Sequence, residues 1–295
     1  MVIKWRQEKK HLSLMNKSEN YMQRIFIVGA ARSGTTLMQS ILGSHSDIST
    51  FPETHFFSRT IPYQKILRFT HSIKATQQSE IKSFFIENDL QEYYKAYTGN
   101  KRNLGAWVEY LLIMIDTISS CHQKKIWIEK TPLHIRYIDL IEKRCPNCIF
   151  IHMVREPIAN IAALFEAGKK YPDHFSQSNL KSAISRYKTD TSISNKYRNK
   201  PNHYIQYYEQ LILEPEAQIH KICGFLGIDY QKAMLNFSQT AKNISQKSEK
   251  WKDQNIEKIA YKNKVNKRLS EKELVLVKKA LKQFNYPILN FYEKN

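Results

Sequence analysis

The apolar positions of this chain fall into short unbroken runs separated by longer stretches with helical spacing. Ile25-Phe26-Ile27-Val28, ended by Gly29, is a continuous apolar segment, the pattern of a strand buried on both faces. Segments of the same kind stand at residues 125–129 (KIWIE), 149–154 (IFIHMV) and 203–208 (HYIQYY). Behind the first run comes a loop over 30–34. Leu37, Met38, Ile41 and Leu42 then share one face of a helix predicted for 35–42. Helix-compatible sequence also follows each of the other runs, so strands alternate with helices. Right-handed crossovers turn that order into a mostly parallel sheet with helices on both faces, an α/β fold. Ligands of such sheets sit at the carboxyl ends of the strands, where Arg32, Lys130 and Arg155 emerge.

The alternation breaks between about 60 and 122, where helical periodicities around 66–73, 81–94 and 106–118 predict a helical insertion capping the sheet. A further helical region is expected over 180–197, and the last helix opens on the capping box Ser270-x-x-Glu273. Residues 1–22 are polar and Lys/Asn-rich, which predicts a mobile arm ahead of a single domain over 23–295. Basic residues near the start (Lys4, Arg6, Lys9, Lys10) are not followed by an apolar stretch, so neither a secretory signal nor a membrane anchor is expected. The longest apolar candidate, 107–118, is interrupted by Glu109 and Asp116 and reads as a core helix. A soluble, cytoplasmic protein is the expectation.

Composition sharpens this picture in two places. Apolar residues make up 42% of the 295 positions and aromatics 12%, enough for a substantial core. The formal charge of +19, from 46 Lys plus Arg against 27 Asp plus Glu, favours an anionic partner without choosing among nucleic acid, membrane and a phosphorylated small molecule. Much of the lysine surplus lies in 247–279, where a solvated face is the first reading and a binding surface the second. Four cysteines are too few for a disulfide framework and suit a reducing compartment. Cys145 and Cys148 form a C-x-x-C, but no second ligand pair follows for a tetrahedral metal site, and none is expected. The pair leads straight into an apolar run, so two half-buried turn cysteines are predicted.

The loop after the first strand, Ala30-Ala31-Arg32-Ser33-Gly34-Thr35-Thr36, is an anion site in physical terms. Backbone N–H groups from Ser33 to Thr36 face one concavity, the helix N-terminus adds partial positive charge, and Ser33, Thr35 and Thr36 add hydroxyls. Gly34 lets the backbone approach an oxyanion without a Cβ in the way. Gly29 and Gly34 stand at the separation of the nucleotide loop G-x-x-x-x-G-K-[ST], but Thr35 occupies the lysine position. That disfavours ATP or GTP hydrolysis. The loop offers Arg32 instead, whose five donors suit a group with several oxygens.

Arg32-Ser-Gly-Thr-Thr behind a strand resembles the 5'-phosphosulfate loop of sulfotransferases that use 3'-phosphoadenosine-5'-phosphosulfate (PAPS), and further segments extend the likeness. Pro52-Glu53-Thr54 is similar to the tyrosylprotein branch, and Glu129-Lys130-Thr131-Pro132 to carbohydrate and bacterial members. Val154-Arg155-Glu156-Pro157 resembles the strand end that binds the 3'-phosphate. Tyr207-Tyr208-Glu209-Gln210-Leu211 and Phe225-Leu226-Gly227-Ile228 resemble later landmarks of the family. The resemblance implies a P-loop-like parallel sheet with the helical insertion on the acceptor side. It also implies transfer of the sulfuryl group from PAPS to a hydroxyl acceptor by in-line displacement, without a metal, releasing PAP.

Residue by residue, the resemblance makes Glu53 the general base and Lys130 the cation on the bridging oxygen between phosphate and sulfate. Arg32, Ser33, Gly34, Thr35 and Thr36 become the phosphosulfate loop, and Arg155 the 3'-phosphate ligand. Tyr208 lines the nucleotide, and Lys250 and Lys252, flanking Trp251, belong to a basic loop over it. The residue readings beside these are an ordinary loop carboxylate at Glu53, an ion pair with Glu129 at Lys130 and a core tyrosine at Tyr208. His134 either faces the same site or is a satisfied surface histidine. The family has a serine eight residues after the strand-end arginine, where this chain has Ala163, and Asn160 and Arg186 are the candidates to compensate. A small molecule, glycan or lipid head group is the preferred acceptor. The competing readings are a basic nucleic-acid binder, a phosphate-loop kinase and an inactive phosphonucleotide-binding relative. Nucleic acid is the less expected partner, because no recognised binding motif accompanies the charge.

Overall fold

A computed structural model describes residues 22–68, 103–175, 179–244, 265–282 and 284, with single positions between 79 and 91. Residues 1–21 of the predicted arm, most of 69–102 within the predicted insertion, and Lys250 and Lys252 lie outside these residues. In chain order the elements are β1 (Gln23–Gly29), α1 (Thr35–Leu42), β2 (Ile48–Thr50), α2 (Phe56–Thr60), α3 (Leu104–Cys121), β3 (Ile126–Lys130), α4 (Ile138–Arg144) and β4 (Ile149–Val154). They continue with α5 (Pro157–Lys170), α6 (Leu180–Tyr197), β5 (His203–Tyr207), α7 (Tyr208–Leu213), α8 (Pro215–Leu226), α9 (Ser238–Asn243), α10 (Val265–Arg268) and α11 (Glu271–Leu281).

The strands run parallel in the order β2-β3-β1-β4-β5. Each central strand divides its side chains between two cores, as a period of two requires. Phe26, Val28, Trp127 and Phe150 face one layer, where Trp107, Tyr110, Leu111 and Ile115 of α3 cover them. Ile25, Ile27, Ile128, Ile151 and Met153 face the other, against Met38, Ile41 and Leu42 of α1 and Ile219, Ile222 and Leu226 of α8. This arrangement explains why the strands read as unbroken apolar runs.

By length and composition α3 could cross a membrane, but its apolar face packs into the sheet. Asp116, one of its interrupting acids, accepts from Arg24 of β1 at 3.1 and 2.6 Å and from Trp127 Nε1 of β3 at 2.7 Å. The expected core helix is therefore a layer of the fold, tied to two strands by one carboxylate. Pro157 starts α5 at its first turn, and Ser270 and Glu273 close the reciprocal cap of α11.

Three sequence expectations need adjustment. Strand β2, of three residues, lies just before Glu53, where a next strand is expected, but Ile48-Ser49-Thr50 is too short and polar to form an apolar run like the other four. Strand β3 is shifted one residue, so Lys130 lies inside it. Cys145 and Cys148 occupy the predicted turn, with the Cys148 N–H donating to the Cys145 carbonyl at 3.1 Å, but both are fully buried.

Candidate active site

The phosphate loop joins β1 to α1 through two unusual backbone positions. Arg32 has φ 68° and Gly34 φ 95°, both left-handed, and Gly34 caps α1 without a side-chain hydrogen bond. The first-turn amides of α1, which a helix leaves without internal partners, therefore receive no cap from a side chain at Gly34 and no side-chain partner among the described residues. A Cβ at Gly34 would stand 2.4 Å from Cδ2 of Tyr208, so the glycine is required by the tyrosine packed against it. One detail departs from the sequence reading: the Ser33 amide is engaged inside the loop, donating to the Ala30 carbonyl at 3.2 Å. The Ser33 hydroxyl is buried and has no hydrogen-bond partner among the described residues.

Arg155, just past the end of β4, donates from Nη1 to the Arg32 carbonyl at 3.0 Å, and its guanidinium lies over the Tyr208 ring at 4.5 Å. Its buried Nε has no partner among the described residues. Burial holds the Arg32 pKa below the ordinary arginine value, and repulsion from Arg268 and Arg155 adds to the effect. A guanidinium so placed stays cationic, and the cluster of like charges is the electrostatic mark of an anion site. Arg268 was not singled out by the sequence reading. It lies within the lysine-rich stretch 247–279, and α10 sets its Nε 2.5 Å from Glu166 Oε2 of α5.

Of the two groups offered to compensate for Ala163, Asn160 reaches the loop, donating to the Ala31 carbonyl at 3.3 Å with its Oδ1 unpartnered among the described residues. Arg186 does not: it is bound to Asp190, which Arg136 also holds at 2.8 Å. Glu209, at the start of α7, accepts the Glu156 N–H at 3.0 Å and fastens that helix to the end of β4.

The second half of the site gathers on the other side of the loop. Lys130, 1% exposed, ion-pairs with Glu53 and donates to Thr36 Oγ1 at 3.3 Å. Three elements thus converge: the first turn of α1, the segment after β2 and the end of β3. Lys130, on the strand next to β1, stands against a loop whose own lysine position is Thr35. His55 adds Nε2 at 3.5 Å from Glu53 Oε2.

Lys130 does not pair with Glu129, because successive strand residues point to opposite faces. Glu129 instead accepts from the hydroxyls of Thr54 and Thr131 at 2.9 and 2.7 Å and meets His134 Nδ1 at 2.8 Å. Burial raises its carboxyl pKa, but His134, Thr131 and Thr54 outweigh that and hold it below the ordinary value. His134 is neither on the surface nor beside Lys130, as the sequence reading had it: it is completely buried behind β3.

The profile of the sulfotransferase family matches residues 24–232, and the chain belongs to that family. The protein-tyrosine sulfotransferase of Drosophila melanogaster is 27% identical over 221 residues, covering 74% of this chain and 40% of that protein. Protein-tyrosine sulfotransferase A of Caenorhabditis elegans is 26% identical over 225 residues, 75% and 54% of the two chains. This chain therefore spans about half the length of these two relatives. The mouse sulfotransferase SULT7A1, solved in complex with PAP, shares the fold with a TM-score of 0.52 at 12% identity, covering 90% of this chain and 85% of the mouse protein.

Proposed function

We propose that this protein transfers the sulfuryl group of PAPS to a hydroxyl acceptor. The observation that carries the reading is the convergence of Glu53, Lys130 and Thr36 beside an arginine-lined loop with an uncapped helix N-terminus. The fit to a phosphosulfate rests on buried groups that lack partners among the described residues: Ser33 Oγ and Arg155 Nε are both able to donate to an oxyanion. The loop amides, Arg32, Ser33, Gly34, Thr35 and Thr36, would hold the 5'-phosphosulfate. Arg155 and Arg268 would face the 3'-phosphate, and Tyr208 would support the nucleotide.

In this reading Glu53 accepts the acceptor's proton as its oxygen bonds to sulfur, while the sulfur–oxygen bond to the phosphate breaks. Lys130, from the end of β3, neutralises charge on the departing oxygen, and Thr36 holds the ammonium in line. A tight base–cation pair keeps the two groups that act at opposite ends of the displacement within one contact. Two curated relatives carry protein-tyrosine names, so phenols stand beside alcohols of small molecules, glycans and lipid head groups in an acceptor screen.

The test is calorimetric titration of PAP into the wild type and Arg32→Ala, with ATP as control. Micromolar PAP binding, weakened about tenfold or more by Arg32→Ala, is expected for the loss of charge-assisted hydrogen bonds. No PAP binding by the wild type would overturn the reading.

A further inference from the structure

The three groups bound to Glu129 share one further property. Thr131 Oγ1 accepts the His55 N–H, Thr54 Oγ1 accepts the Phe56 N–H, and His134 Nε2 accepts the Phe57 N–H, each at 3.3 Å. His55 is the left-handed N-cap of α2, with φ 49°, and its own side chain does not cap the helix. The three consecutive amides at this helix start, which an α-helix leaves without internal partners, are thus each met by a group from the network.

Polarity makes the arrangement a unit. Each threonine hydroxyl has one proton, and donating it to Glu129 leaves its lone pairs for an amide. The Phe57 N–H requires a lone pair on Nε2 of His134, so the imidazole carries its proton on Nδ1 and donates it to Glu129 Oε2. The carboxylate therefore fixes the direction of three hydrogen-bond relays that all end on residues 55–57. Glu129, Thr131, His134 and Thr54 are at most 3% exposed, so water does not substitute for any of them.

We infer that Glu129, acting through Thr54, Thr131 and His134, is a positioning residue that locks the segment carrying Glu53 onto the strand end carrying Lys130. The role rests on the sulfuryl-transfer reading, because it is the placement of Glu53 against Lys130 that the network secures. Glu129 and Lys130 are neighbours on β3 with opposite orientations. One residue anchors the segment from behind while the next meets its carboxylate in front. A glutamine at 129 breaks the polarity: with its oxygen toward the threonines, its amide N–H groups oppose the Nδ1–H of His134.

The experiment uses Thr131→Val and Thr54→Val, which keep shape and remove the hydroxyl, with Thr131→Ser and Thr54→Ser as rescues and Glu129→Gln as the wider break. Two readouts are taken: amide hydrogen exchange at residues 55–57, and kcat beside the PAP dissociation constant. Exchange is expected to accelerate at His55 in Thr131→Val and at Phe56 in Thr54→Val. Turnover should fall about ten- to a hundredfold, as displacement of a catalytic group by a fraction of an ångström to about 1 Å does, with PAP affinity within about twofold of wild type. The serine variants should recover both. Native kcat in the valine variants, a parallel loss of PAP affinity, or serine variants no better than valine would overturn the inference. A wild type that binds no PAP would sink the sulfuryl-transfer reading itself. Exchange would still decide the relays in that case, and native protection of 55–57 in Glu129→Gln would refute them.

Discussion

Around Arg32, three buried polar atoms, Ser33 Oγ, Arg155 Nε and Asn160 Oδ1, have no hydrogen-bond partner among the described residues. Around Glu53 the reverse holds: Glu53, Lys130 and Glu129 are all engaged by other side chains, in part through residues far away in sequence. The difference separates two physical tasks. Two of these, Ser33 Oγ and Arg155 Nε, are donors; orphaned donors are costly in the free protein and gain most when oxygens of an anion reach them, so the first half is built for binding. A satisfied network keeps its geometry whether or not a ligand is present, so the second half is built to hold reacting groups in place.

The sharpest way to break this comparison is to remove Lys130, which serves the second half and touches the first through Thr36. Lys130→Met should lower kcat about 10²- to 10³-fold. It should also cost stability, because a buried carboxylate loses its lysine partner. Thermal unfolding of Glu53→Gln/Lys130→Met should recover much of the stability, while turnover stays lost. If the double variant regains turnover, the pair is structural and the division of labour fails.

Acid should then separate the halves. His152 and His203, on β4 and β5, hydrogen-bond to each other at 2.8 Å. Burial first, and His203 second, push the His152 pKa down to about 3 from 6.5, and burial lowers that of His203. Between those limits the unfolded chain binds the proton that the folded one refuses. Stability is therefore lost as pH falls below about 6.5, at up to ~1.4 kcal/mol per pH unit for one proton. Glu129 has the same sign in a lower window: its lowered pKa contributes stability above 4.5, which is lost only as pH falls below that value. Denaturant midpoints between pH 7 and 5 should fall in the wild type and fall less steeply in His152→Asn. An unchanged slope would show that the histidine pair does not set the acid sensitivity of the fold.

The smallest effect tests the binding half alone. Ser33→Ala removes an orphaned hydroxyl and should weaken PAP binding about two- to tenfold, for a net hydrogen bond of ~0.5–1.5 kcal/mol, with kcat at saturating donor unchanged. An effect on kcat instead of affinity would move Ser33 into the reacting half.

Much of the first half was legible along the chain. An apolar run, a glycine-bearing loop and an amphipathic helix are local patterns, and they place Arg32 through Thr36 at a strand end before any tertiary contact is known. Arg155 follows for the same reason, as the polar residue that ends an unbroken apolar strand and precedes a helix-starting proline. The second half was legible only as residue types. The residue reading of Lys130 was open between an ion pair with Glu129 and a bound anion; the structure pairs it with Glu53 rather than with Glu129. His134 was placed wrongly because nothing local distinguishes a histidine facing a site from one buried behind it. Arg268 was hidden in a basic segment whose other lysines were equally good candidates.

What the sequence determines by itself is therefore the set of elements and the loop chemistry at their ends, because both depend on periodicity and turn residues within a few positions of each other. Tertiary structure decided which of those ends meet. The sheet order β2-β3-β1-β4-β5 is not the chain order, and it alone brings residue 53 beside residue 130 and residue 32 beside residue 155. Such pairings depend on how strands stack their two apolar faces against helices. That choice is made by the packing of the whole core and leaves no trace in any short stretch of sequence.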